Sequence, residues 1–184
     1  MSRPVYLVRH TRPAVGTQLC YGRLDVELAP TWQFDIAQCV ASIGRAACVY
    51  TSPATRCRRL AEAVGRRDLS EVRVDGRLSE LDFADWEGRR WEEIPRSCLD
   101  DWAADIIHYA PGNGEPLWAL WARVDAFRAE LPPAQGPIVV VSHHGPLRAL
   151  AAQLADESPD RMFTRRFPWG SVTRMELPRT SADR

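Results

Sequence analysis

The chain contains no lysine: all 24 of its basic residues are arginine. That absence excludes chemistry needing a side-chain amine, such as a Schiff base, and it excludes a P-loop, whose lysine touches the β and γ phosphates. Biased codon usage accounts for the skew, so no arginine is functional merely for being arginine. An excess of charge of either sign is missing too. The 24 basic residues balance 24 acidic ones, the formal net charge is zero, and nothing general draws the chain to nucleic acid or to a membrane surface. No apolar run approaches the roughly 18 residues of a membrane span. The run Val5-Tyr6-Leu7-Val8 is too short for a signal peptide and reads instead as a first strand. The five cysteines (Cys20, Cys39, Cys48, Cys57, Cys98) are odd in number and lack C-x-x-C spacing, which fits reduced thiols in a cytoplasm better than a disulfide framework.

What is present has the balance of an ordinary globular domain, 45% hydrophobic and 26% charged over 184 residues. No repeat or linker divides it, so residues 1–184 read as one domain. Val5-Tyr6-Leu7-Val8 ends abruptly in Arg9-His10-Thr11, and the apolar run Pro137-Ile138-Val139-Val140-Val141-Ser142 ends in His143-His144-Gly145. Both read as strands buried on two faces, and in open α/β sheets ligands bind beyond the carboxyl ends of such strands. Between them the pattern predicts a loop over 11–30 and a helix over 31–43 burying Phe34, Ile36, Ala37, Val40 and Ala41. It continues with a strand at 47–50, and a helix capped by Ser52 with Pro53 in its first position. A half-exposed strand follows at 72–75. Helical patterns run from 89 to 131, broken at 111–116. Five of the seven tryptophans (Trp86, Trp91, Trp102, Trp118, Trp121) mark a helical lid insertion at about 84–121. A helix over 146–154, a short one at 158–160, a closing strand at 172–177 and a frayed tail after Pro178 complete the chain. Strands alternating with helices predict a three-layer α/β/α sandwich around a mostly parallel sheet.

The carboxyl edge of that sheet collects Arg9, His10, Arg23, Arg56, Glu80, His143 and His144. Paired guanidinium forks suit a phosphate or carboxylate, and Arg56 in a first helical turn adds its charge to the positive end of the helix dipole. A neutral imidazole beside a phosphate can attack phosphorus, a second and protonated one can stabilise the equatorial oxygens, and Glu80 can protonate the leaving alkoxide if burial raises its pKa. These roles complete a metal-free phosphomonoester hydrolase. A catalytic metal is the chemical competitor, but adjacent His143 and His144 diverge and no H-x-x-x-H, H-x-H or Asp-rich cluster is present. A Ser or Cys hydrolase lacks its G-x-S-x-G elbow.

In these stretches the chain resembles the histidine phosphatase, or phosphoglycerate mutase-like, superfamily. Six pieces occur in that superfamily's order over roughly residues 4–177: Arg9-His10-Thr11, Tyr21-Gly22-Arg23-Leu24-Asp25, Thr51-Ser52-Pro53-Ala54-Thr55-Arg56, Leu78-Ser79-Glu80 through Trp86-Glu87-Gly88, Gly112-Asn113-Gly114-Glu115, and Val141-Ser142-His143. The resemblance implies a phosphohistidine mechanism without cofactor or metal, with catalytic His10, Glu80 and His143. Arg9, Arg56 and His143 would hold the phosphoryl group, while Arg23, Thr11 and His144 would contact the rest of the substrate. Within the superfamily the small size and the Gly-Arg-Leu-Asp and Trp-Glu-Gly stretches look most like the α-ribazole phosphatases of cobalamin biosynthesis. A broad-specificity phosphatase, a mutase and a phospholigand-binding module without turnover are the alternatives. The partner is a small phosphomonoester, neither nucleic acid nor membrane, and the oligomeric state stays open, a homodimer included. Three departures from the superfamily's pattern stand out: Thr11 in place of glycine, His144 in place of glycine, and Pro116 after Gly112-Asn113-Gly114-Glu115.

Overall fold

The computed structural model describes residues 3–132 and 136–177. In chain order the regular elements are β1 (Arg3–Arg9), α1 (Trp32–Ser42), β2 (Cys48–Thr51), α2 (Thr55–Asp68), β3 (Glu71–Val74), α3 (Arg96–Ala104), α4 (Leu117–Ala129), β4 (Ile138–Ser142), α5 (His144–Leu154) and β5 (Val172–Leu177), with short 3-10 turns between them. The sheet order is β3-β2-β4-β1-β5, parallel except for β5, which closes the edge antiparallel to β1. Every residue of β4 is buried, as a strand covered on both faces demands. Ile138 and Val140 face a layer that includes Leu120, Phe127, Leu147 and Leu150 of α4 and α5. Val139 and Val141 face Ile36, Cys39, Leu60 and Val64 of α1 and α2. The predicted three-layer, mostly parallel sandwich is what forms.

The register of β1 on β4 sets where the two strand-end histidines emerge. Arg9 pairs with Ser142, so the next residues of both strands, His10 and His143, leave the sheet in step. The backbone N–H of His10 donates to the Ser142 carbonyl at 3.0 Å, extending the ladder by one bond beyond the strands.

Three local expectations fail for physical reasons. Helix α1 buries Ile36 and Cys39, with Ile43 just beyond its end, while Phe34 is 66% exposed, because it lies on the opposite helical face from that 3–4 spaced set. Helix α2 starts at Thr55 rather than Pro53, since Asp25 accepts from the Thr55 N–H at 3.0 Å across the loop, while the Ser52 hydroxyl, 2.8 Å from His143 Nε2, takes only a long 3.4 Å bond from the Ala54 N–H. Helix α5 starts at His144, two residues before Pro146, with His143 as its cap residue. In the segment 84–121 only α3 and the start of α4 are α-helical; the rest is turns and 3-10 structure. All five cysteines are free thiols. No helix among the described residues is long and apolar enough to cross a membrane. The tail after Pro178 lies outside the described residues.

Candidate active site

His10 and His143 meet with ring centroids 5.1 Å apart and planes at 64°. Both are about 1% exposed. The Nδ1 of His10 lies 2.7 Å from the carbonyl oxygen of Thr11. A carbonyl only accepts, so Nδ1 carries the proton and Nε2 keeps its lone pair, the form a nucleophile needs. Nε2 of His143 lies 2.8 Å from Ser52 Oγ and 3.5 Å from Cys57 Sγ. Ser52, expected as a helix cap, is instead a partner of the second imidazole.

Burial pushes the His10 pKa down to about 3, helped by the charges of Arg56 and Arg9. The same burial, with His10, Arg56 and Arg9 around it, holds His143 well below its ordinary value. Both imidazoles are therefore neutral at pH 7. That suits His10 as a nucleophile, and it revises the expectation of a protonated His143: in the free protein His143 is uncharged. An arriving dianion offsets the repulsion of the arginines and so favours proton uptake there.

Arg56 is fully buried and donates to the carbonyls of Leu24 at 2.8 Å and Gly22 at 2.6 Å. Asp25 stands 3.6 Å away and the Tyr21 ring lies 5.5 Å beneath the guanidinium carbon. Arg9 donates to the Phe167 carbonyl at 2.7 Å and touches His144 Nδ1 at 3.3 Å. The guanidinium carbons of Arg9 and Arg12 both lie near the Trp169 ring, 5.3 and 5.6 Å from its centroid. The Nε of both Arg9 and Arg56 is buried without a hydrogen-bond partner among the described residues.

Glu80 reaches the start of α5, where its carboxylate accepts from the N–H of Gly145 at 3.1 Å and from that of Leu81 at 3.1 Å. A Cβ on residue 145 would stand 2.4 Å from Glu80 Oε1, so a side chain there would push the Glu80 carboxylate off the Gly145 N–H. Glu87, from the Trp-Glu-Gly stretch, accepts from the N–H groups of Gly22, Arg23 and Leu24 at 2.8–2.9 Å. It fastens the loop whose carbonyls hold Arg56.

A cavity of about 460 Å³ unites Arg9, His10, Arg56, Glu80, His143 and His144. Its far wall is apolar: Leu19, Phe83, Trp91, Trp102, Ile106, Leu117, Met162 and Phe163 all line it. Trp91 and Trp102 stack at 8° and 6.3 Å, with Phe83 edge-on to both. Trp86 is buried behind them, Trp121 packs on the main core, and Trp118 is 54% exposed. The sequence-expected Thr11 and Arg23 do not line this cavity. Thr11 borders a separate hollow with Arg12 and Asp35, and Arg23 is exposed, 3.3 Å from Asp82, on a smaller hollow that shares Glu80 and His143. Sequence reading missed Ser52, Cys57, Arg148 and Trp169. Only Ser52 carried a signal, since a hydroxyl one residue past a buried strand faces the same rim as the strand-end histidines. Among the described residues no group of three His, Cys, Asp or Glu side chains is placed to hold a metal ion.

The depressed histidines make stability depend on pH. Unfolded, His10 and His143 bind protons near 6.5; folded, His10 refuses one until about 3. The unfolded state therefore holds more protons across that window, and stability falls as pH drops through it, by up to about 1.4 kcal/mol per pH unit per histidine. Denaturant midpoints measured at pH 7, 6 and 5 are expected to decline, and to decline less steeply in His10→Asn. Equal slopes in both proteins would contradict a buried neutral His10.

The family model of the histidine phosphatase superfamily (branch 1) matches residues 5–182. The chain is 32% identical over 111 residues to an adenosylcobalamin/α-ribazole phosphatase of Escherichia coli, a match covering 58% of this chain and 55% of that one, so it spans about half that relative's length. It is 30% identical over 171 residues to a glucosyl-3-phosphoglycerate phosphatase of Mycobacterium tuberculosis, covering 83% and 75%. The crystal structure of the α-ribazole phosphatase from Shigella flexneri superposes with a TM-score of 0.85 at 26% identity, covering 93% of this chain and 89% of that one.

Proposed function

The chain belongs to the histidine phosphatase superfamily, branch 1, and from that premise we propose that His10 takes the phosphoryl group of a phosphomonoester and hands it to water. The observation that carries this reading is the 5.1 Å approach of His10 and His143 in one cavity with Arg9 and Arg56. Nε2 of His10 attacks phosphorus, the P–O ester bond breaks, and Glu80 protonates the departing alkoxide. Water then cleaves the P–N bond, with Glu80 as base, and inorganic phosphate leaves. Arg9, Arg56 and His143 hold the equatorial oxygens throughout. Residues 84–121 act as the lid of the cavity within one domain.

The α-ribazole and glucosyl-3-phosphoglycerate phosphatases are similarly distant, so likeness alone does not choose a substrate. The wall formed by Phe83, Trp91 and Trp102 does favour one. It offers stacking surface to a flat heteroaromatic ring, which supports α-ribazole 5′-phosphate or its cobamide form. The test is kcat/KM for α-ribazole 5′-phosphate against ribose 5-phosphate and other simple sugar phosphates that carry no second anion. Preference for the aromatic substrate by about tenfold or more, lost in Trp102→Ala, is expected from one stacked ring pair of roughly 1.4 kcal/mol. Equal efficiencies would leave a broad-specificity phosphatase.

Glu80→Gln separates proton donation from binding. An alkyl phosphate, whose leaving alkoxide needs the proton, is expected to lose about two to four decades, whereas an aryl phosphate loses far less. Equal losses on both would remove Glu80 from the role.

A further inference from the structure

One cation in the cavity is absorbed by none of these roles. Arg148 sits one turn along α5 from His144 and lines the cavity. Its guanidinium is fixed at two points: Nε donates to the Arg165 carbonyl at 2.7 Å and an Nη2 hydrogen to the Phe163 carbonyl at 2.8 Å. The guanidinium also lies over Phe163, its carbon 5.8 Å from the ring centroid. Nη1 has no hydrogen-bond partner among the described residues.

The arginines nearby differ in this respect. Arg56 has Asp25, Arg123 has Glu115, and Arg165 has Glu157. Arg148, like Arg9, is held by neutral carbonyls that fix its direction without cancelling its charge. Arg9 adjoins the nucleophile in sequence and serves the transferred phosphoryl group. Arg148 is on the next turn of α5, and its guanidinium is bound beside Phe163, on the part of the cavity lining that Met162 and Phe163 form. His144 between them is neutral, its pKa lowered to about 4 by burial and by Arg9 and Arg148, so it supplies no competing charge.

We propose that Arg148 forms a second oxyanion subsite in the cavity, which selects phosphomonoesters carrying another anionic group, a carboxylate or a phosphodiester, a few bonds from the scissile phosphate. The inference rests on the phosphatase reading above and adds a specificity-determining residue to it. Carbonyl pinning presents the free Nη1 edge in one orientation, as a planar acceptor requires.

Two substrate pairs test it, each differing by the second anion alone. The first is 3-phosphoglycerate against glycerol 3-phosphate. The second is adenosine 5′-phosphate bearing a 3′-methylphosphate against adenosine 5′-phosphate. In the native protein the anion-bearing member of at least one pair is expected to have a kcat/KM higher by about 10- to 100-fold, the scale of a charge-assisted hydrogen bond, and the responding pair identifies the oxyanion. In Arg148→Met that ratio is expected to fall to near one, and in Arg148→Lys to persist in part. The ratio is taken within one protein, so general damage cancels; should the Met variant not fold, Arg148→Gln, which keeps a donor for one carbonyl, replaces it. A ratio near one in both native pairs, or one that survives loss of the charge, overturns the subsite. Absence of turnover on all four compounds would instead count against the phosphatase reading itself.

Discussion

Replacing His10 by alanine is expected to lower kcat/KM by at least about five decades while leaving binding of inorganic phosphate within about tenfold. The first figure follows because the residue forms and breaks a bond: removing a nucleophile costs on the order of a million-fold in enzymes where it has been isolated, and no neighbour here can substitute. His143 is the nearest imidazole, but its Nε2 is engaged by Ser52 at 2.8 Å. Cys57 is buried and its thiol pushed up to about 12, so it offers no thiolate. The second figure follows because the two guanidiniums, which carry most of the attraction for a dianion, are held by backbone carbonyls and not by His10. Loss of phosphate binding alongside turnover would mean that His10 organises the site rather than reacting in it.

Arg56→Ala is expected to cost two to four decades in kcat/KM, about 3–5 kcal/mol of transition-state stabilisation, together with a fall in folding stability of similar size. The second effect arises because Arg56 is also a strut. It bridges α2 to the Leu24 and Gly22 carbonyls, and without it two acceptors and Asp25 lose a charged donor. The loop 21–25 would then rest on Glu87, on the bond from the Thr55 N–H to Asp25 and on the exposed Arg23–Asp82 pair. Arg56→Lys separates the two roles: one ammonium cannot span both carbonyls and meet a phosphate fork, so most of the catalytic loss is expected to remain while part of the stability returns. Paired measurement of kcat/KM and denaturant midpoint checks this, and a catalytic loss without any stability loss would rule out the strut.

Much of this site is legible in the sequence because its scaffold is made of strands. A run such as Ile138-Val139-Val140-Val141 reads as a doubly covered strand, which the structure pairs with β1 so that Arg9 lies opposite Ser142. His10 and His143 are then found by where the apolar pattern stops. Arg56 is legible as a first-turn cation, although the cap that allows it there comes from Asp25, distant in sequence, and not from adjacent Ser52. Local capping rules could not see that contact. Thr11 and Arg23 are expected at the substrate because their neighbours are; in the structure a peptide bond's turn suffices to send Thr11 into another hollow, and Asp82 draws Arg23 to the surface. Arg148, Trp169 and the pairing of Trp91 with Trp102 depend on how separate segments stack, and no spacing in the chain encodes it.

The whole mechanism requires that phosphorus become bonded to His10. Mixing the protein with a phosphomonoester in EDTA, quenching within one turnover, and mapping the bound phosphate by mass spectrometry reads that bond directly. Acid-labile, base-stable phosphate is expected on the peptide containing His10, undiminished by the chelator and absent from His10→Ala. Turnover that proceeds with no phosphate on His10, or that stops when the chelator is added, would refute the phosphohistidine route.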